Sequence, residues 1–153
     1  MTKAESLAQV LDEFLGVSSE VEAAAVVSVD GLPMASALPP HVEEDRLAAM
    51  SAALLTLGER AAAGLGKGGL AQVFVEGEFG YVVLMAAGSQ AVLVAVTSRE
   101  AKAGLIIFEM RRATERVADI MTAAPDRNGT VEQPQPPAVP SRTETPSVIS
   151  SWQ

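Results

Sequence analysis

The sequence predicts an α/β (α+β) domain: a five-stranded antiparallel sheet in the order 2-1-5-4-3, accompanied by three helices. Three observations carry this. Five apolar, β-branched-rich runs are joined by short turns or, once, by a long helical pattern. Two of the runs, YVVLMAA and AVLVAVT, are almost continuously apolar, so both faces of each strand are covered and neither is an edge. Pro33, in the second run, has no N–H for a ladder, which makes that strand an edge. Short turns tie strands three to five into a meander, and strand one is then the only free neighbour for strand five.

Thr2 to Leu15 reads as a helix. Thr2 and Glu5 have capping-box spacing, Leu7, Val10, Leu11 and Phe14 form a stripe, and Gly16 stands where a C′ glycine belongs. Ala23 to Val29 and Leu32 to Leu38 follow as a hairpin. Between them, in VVSVDGLPMAS, Asp30-Gly31 predicts a two-residue type I′ turn, whose central residues both take positive φ. Asp30 is therefore read as a corner rather than a functional carboxylate. After Pro39-Pro40 a long helix runs from about Val42 to Ala63, with Glu43, Glu44 and Asp45 in its first turn complementing the helix dipole. QVFVEG, GYVVLMAA and AVLVAVTS are the remaining strands, turning at 76–79 and at Gly88-Ser89. A last helix is expected to start at Thr97, in capping-box spacing with Glu100, and to end before Pro125. The domain thus covers 1–124. The segment 125–153, with six prolines among Gln, Thr, Ser and Glu, is expected to be a disordered tail.

Composition narrows the function. A chain of 153 residues with 48% hydrophobic content supports one real core, though only 4% is aromatic. A net charge of −8 disfavours nucleic acid or an anionic membrane as partner. The absence of cysteine removes disulfides and thiolate chemistry, and fits a cytoplasmic protein. No signal peptide or transmembrane run is legible.

Catalytic constellations are not found. Gly64-Leu-Gly-Lys-Gly-Gly69 matches G-x-G-x-x-G, but it follows a helix and precedes a strand. The free groups there are carbonyls, the wrong polarity for a phosphate, so the run reads as a helix stop and connector. His41 is the only histidine and lacks partners for zinc or a triad. Glu43 and Glu44 are sequence neighbours and point to different sides of a helix. Arg111 and Arg112 read as a solvated face, with Arg111 spaced to pair with Glu115. Asn128-Gly-Thr130 matches a glycosylation site without a secretory signal to give it meaning. No enzyme, cofactor or metal is expected.

The middle helix says more. RLAAMSAALLTLGERAAAG carries Leu47, Met50, Leu54 and Leu57 on one stripe and Ala48, Ala52, Leu55 and Ala62 on another, more apolar surface than one sheet face covers. The third strand, QVFVEG, is the second sheet edge and has no proline or lysine to guard it. The alternative for the helix alone is burial within one subunit; together the two features predict a homodimer in which the middle helices pack and the third strands pair, through Met50, Leu54, Val73, Phe74 and Val75. A proline at Val75 is expected to remove an edge N–H.

On "VVSVDGLPMASALP", "RLAAMSAALLTLGERAA", "VEGEFGYVVLMAAGSQAVLVAV" and "AKAGLIIFEMRRA", residues 3 to 122 resemble the Roadblock/dynein light-chain family, in particular its prokaryotic MglB-like members. The resemblance implies the Roadblock (profilin-like or longin-like) fold, with one long helix on one sheet face and two on the other. It implies dimerisation through the middle helix and third strand. It further implies binding to a small Ras-like GTPase, as a scaffold or activator supplying no chemistry of its own. On this chain the surface expected to meet the GTPase is the start and exposed side of the middle helix, with Glu43, Glu44 and Arg46. A small-molecule sensor or structural interaction module of PAS or profilin-like architecture is the alternative, and it needs a cavity. In the tail, Val148, Ile149 and Trp152 within PSVISSWQ form a candidate docking element, the alternative being a spacer.

Overall fold

A computed structural model of the protein describes residues 1–123; the tail, with Val148, Ile149 and Trp152, lies outside the described residues. The elements are α1 (Lys3–Val17), β1 (Val21–Ser28), β2 (Pro33–Ala37), α2 (Glu44–Gly64), β3 (Val73–Gly77), β4 (Gly80–Ala87), β5 (Ala91–Ser98) and α3 (Ala103–Thr122). They form one five-stranded sheet, β2-β1-β5-β4-β3, in which every neighbouring pair is antiparallel. The predicted order is the observed one.

The core has two layers because the inner strands are apolar on both sides. Val26, Val83, Met85 and Leu93 face α1 and α3, where Leu7, Leu11, Ile106 and Met110 meet them. Val27, Leu84, Val92 and Val94 face α2, where Leu47, Ala48 and Leu55 meet them. Truncating one such buried leucine to alanine costs about 2–5 kcal/mol. Two helices therefore cover one face and one long helix the other.

Local chemistry explains most boundaries, and four expectations are corrected. Thr2 does cap α1 through a full capping box with Glu5. Gly16, however, lies inside the last turn, and α1 ends at an extended Ser18. The hairpin turn is not type I′: Gly31 has φ +89, but among the described residues no non-glycine residue has positive φ. Instead the Gly31 N–H donates to the Ser28 carbonyl and the Ser28 N–H to the Leu32 carbonyl, closing a three-residue loop on a left-handed glycine. A register shift between Val26 and Val27 completes the bend into β2. Thr97 does not cap α3 either. It is buried in β5, paired with Val21 and Tyr81, and α3 begins after Lys102 with no side-chain cap. Glu43 is the residue before α2 rather than part of its first turn, which holds Glu44 and Asp45.

The glycine run behaves as a helix stop. Lys67 N–H donates to the Ala62 carbonyl and Gly66 N–H to the Ala63 carbonyl, with Gly66 at φ +72. That is a Schellman motif, satisfying carbonyls that the helix end would leave free.

Candidate functional site

Among the described residues, the buried hydroxyls bond to nearby groups of their own chain, whereas Gln72 Oε1, just before β3, is buried without a hydrogen-bond partner. Ser51 Oγ donates to the Leu47 carbonyl at 2.7 Å, Thr97 Oγ1 to the Ser98 carbonyl at 3.1 Å and Thr114 Oγ1 to the Arg111 carbonyl at 2.8 Å. Among the described residues, no group of three or more His, Asp or Glu side chains is placed to hold a metal ion, and His41 is exposed. The arginines of α3 pair differently from the expectation. Arg112 meets Glu109 at 3.9 Å, and Arg116 reaches across to Glu13 of α1; Arg111 is in neither pair.

The conspicuous feature is apolar. On α2, Leu47, Ala48, Ser51, Ala52 and Leu55 are buried against the sheet. Met50, Leu54 and Leu57 turn outward and stay 48%, 37% and 62% exposed. Leu47 and Leu57, placed on one stripe by spacing, thus separate: one is core, the other surface. Beside α2 lies β3, where Phe74 and Val75 are each 39% exposed and Val73 is half-buried. Of the five residues predicted for an interface, Met50 and Leu54 thus lie on the outer side of α2, and Val73, Phe74 and Val75 on the edge strand β3, which α2 meets at Gly58. Val73 packs with the α2-side cluster, and side-chain alternation puts Val75 on that face as well. Phe74 lies on the opposite face. Its ring centroid is 5.1 Å from that of Tyr81, tilted by 35°, and Tyr81 packs with the α1/α3-side cluster.

Hydrogen-bond parity decides which groups this edge offers. Val29 N–H donates to the Gln90 carbonyl, so by antiparallel alternation the even-numbered residues of β5 bond to β1 and the odd-numbered ones to β4. Carried through the β4 register, Val73, Val75 and Gly77 bond inward to β4. The outward N–H and C=O groups belong to Phe74 and Glu76. Val75 N–H, expected at the edge, belongs to the internal ladder.

Two hollows flank the outer side of α2. One, of about 430 Å³, is lined by His41, Val42, Glu43, Arg46, Leu47 and Met50. It joins Glu43 and Arg46 to the apolar face, while Glu44 is exposed but outside its lining. The other, of about 450 Å³, lies between the β1–β2 loop and α2, with Ala49, Ala53, Leu57 and Arg60 on its walls. Sequence reasoning missed the loop's contribution. It also missed Phe79, 80% exposed at the β3–β4 turn. The signal was an aromatic residue between Gly77 and Gly80, at the tip of a short hairpin.

The Roadblock/LC7 domain matches residues 7–97. The uncharacterized protein MJ1340 of Methanocaldococcus jannaschii is 37% identical over 103 residues, covering 67% of this chain and 90% of that protein. Among solved structures, a Roadblock/LC7 domain from Streptomyces avermitilis superposes with a TM-score of 0.71 at 25% identity, over 76% of this chain and 98% of its own. Myxococcus xanthus MglB superposes with a TM-score of 0.71 at 19% identity, over 77% of this chain and 89% of its own, a likeness of fold.

Proposed function

This chain belongs to the Roadblock/LC7 family, and from that premise we propose that it is a non-enzymatic homodimeric regulator or scaffold that binds a small Ras-like GTPase. The observation that supports the reading best is the exposed apolar face of α2 lying beside an unguarded β3 edge. Met50, Leu54, Phe74 and Val75 leave apolar surface in water that a lone domain has no reason to keep there. A second copy covers it. A two-fold dimer then presents the start of α2 twice, and a GTPase lying across the axis gives a complex of two copies to one GTPase.

Glu43, Glu44 and Arg46 are the residues proposed to meet the GTPase. They are exposed, and the hollow beside Met50 offers an apolar floor with charges of both signs at its rim. Activity, where present, consists of biasing the GTPase's own switch loops by differential binding. The cytoplasm is the proposed location.

The test is capture of purified small GTPases, loaded with GTP analogue or GDP, on the immobilised protein. Selective retention of a GTP-bound form supports the reading. Retention of none, with a thermal shift induced by a small metabolite, would favour a sensor module instead.

A further inference from the structure

We propose that the outer side of α3 is a separate docking surface, one that takes an acidic amphipathic helix from another protein. It lies on the sheet face opposite α2, so it goes beyond the GTPase reading and does not depend on it.

α3 carries more apolar residues than its packing on the sheet uses. Ile106, Met110, Ala113 and Val117 are buried beneath it, whereas Leu105 and Phe108 stay 45% and 57% exposed. With Arg112 they stand at i, i+3 and i+7, one stripe along the helix. Single apolar residues on a surface are ordinary, but this stripe leads to a hollow. Arg112 also lines a space of about 180 Å³ between α1 and α3, walled by Phe14, Ala113 and the exposed Val17 at the end of α1. An apolar ridge beside a groove between two helices is the form into which a third helix packs.

Charge names the partner. The chain carries a net −8, yet from Lys102 to Arg112 the exposed charged side chains are Lys102, Arg111 and Arg112, all cationic. Glu109, the one carboxylate in that stretch, is turned inward, with its side chain 16% exposed. It stands 3.9 Å from Arg112, longer than a hydrogen bond, and so leaves that guanidinium able to bind elsewhere. Arg111 is in no ion pair among the described residues. Glu13, on the α1 wall of the hollow, is taken up by Arg116. The first turn of α3 holds no acidic residue, so the helix dipole adds to the same positive sign. A helix that sets apolar side chains one turn apart against Leu105 and Phe108, with carboxylates beside them, complements this surface in shape and sign. An anionic membrane meets the same three cations, but also the negative charge of the rest of the chain.

Differential selection lets the surface choose its own ligand. A displayed library of random peptides is selected on the immobilised wild-type protein and counter-selected on Phe108→Ser, so that only peptides requiring this face survive. Thermal melts check that the variant is folded, and Leu105→Ser replaces it in the counter-selection should Phe108→Ser melt lower. The expected survivors carry apolar residues at i and i+3 or i+4, flanked by Asp and Glu. Their binding is expected to fall about tenfold or more with Arg112→Glu, the scale of an interface anchor, and to weaken as salt rises. It is expected to be unchanged with Met50→Glu, which separates this surface from the one proposed for the dimer and the GTPase. Survivors that are basic or uncharged overturn the acidic partner, and the absence of survivors overturns the docking surface. Vesicles of phosphatidylcholine and phosphatidylserine that retain the wild type but not Phe108→Ser overturn it in favour of a membrane. A smaller sedimenting species for Phe108→Ser than for the wild type overturns it in favour of a contact between copies of this chain.

Discussion

A β-carbon added to Gly58 of α2 would stand 2.9 Å from Cγ2 of Val73 in β3 and 3.1 Å from a methyl of Leu70. The long helix approaches the edge strand that closely only because this residue has no side chain. The contact sets the height of α2 over β3, and with it the shape of the apolar face that both elements form.

Gly58→Ala therefore sets two effects against each other. Helix propensity favours alanine by about 1 kcal/mol, while overpacking costs about 1–3 kcal/mol. Val73 is β-branched and held in a strand, so it yields little. A net destabilisation of about 1 kcal/mol is expected in urea melts of the protein held monomeric by Met50→Glu, taking the overpacking term as the larger. A stabilised variant would show that Val73 moves aside freely.

Gly80→Ala is the harsher case. Its added carbon would lie 2.0 Å from the Thr97 carbonyl oxygen, backbone against backbone, with no flexible atom to give way. A loss of about 3 kcal/mol or more is expected, at the upper end of overpacking costs. Thermal unfolding measures it, and a loss below 1 kcal/mol would mean that the β4–β5 ladder opens at that end.

Proline substitution separates the two hydrogen-bonding sides of β3. Glu76→Pro removes an outward N–H and is expected to weaken the dimer while the domain stays folded. Val75→Pro removes an inward one and is expected to lower the domain's own stability by about 3 kcal/mol, a broken ladder bond plus ring clash. Circular dichroism melts paired with sedimentation distinguish these outcomes. Equal effects of the two variants on folding would contradict the parity assigned to the edge.

Met50→Glu places a charge on the outer face of α2, where the side chain is 48% exposed in the single domain. Stability of the monomer should change by no more than about 0.5 kcal/mol. Dimer stability should fall by a few kcal/mol, about the cost of burying an unpaired charge after relaxation. Dilution series by sedimentation read this out, and an unchanged dimer would place the interface elsewhere.

For the GTPase, Arg46→Ala is expected to weaken binding by about 1–2 kcal/mol, the usual scale for an arginine at an interface. Alanine at Arg60, Arg99, Arg111 or Arg112 is not expected to abolish any stimulated hydrolysis while binding persists. A single arginine whose loss cuts hydrolysis by about a thousandfold with binding intact would reveal an inserted finger instead.

What the sequence by itself determined is the number, type and order of the elements, because those signals are local. Periodicity in Leu7, Val10, Leu11 and Phe14, the continuous runs of β4 and β5, and the missing N–H of Pro33 act over a few residues, and each survives into the fold. The candidate face was legible for the same reason, as more apolar helix surface than one sheet could cover. Tertiary structure decided wherever two local preferences competed or a distant partner voted. Thr97 has the spacing of a cap, yet ladders to Val21 and Tyr81 hold it in β5. Asp30 suits a type I′ turn, but the closing hydrogen bonds between Ser28, Gly31 and Leu32 select a longer loop. Leu47 and Leu57 look alike along the helix, and only the placement of α2 on the sheet buries the first and exposes the second. Most far-reaching is the parity of β3. Which of its N–H groups faces outward depends on registers passed across three strands from a single hydrogen bond at Val29, and no stretch of the sequence encodes that sum.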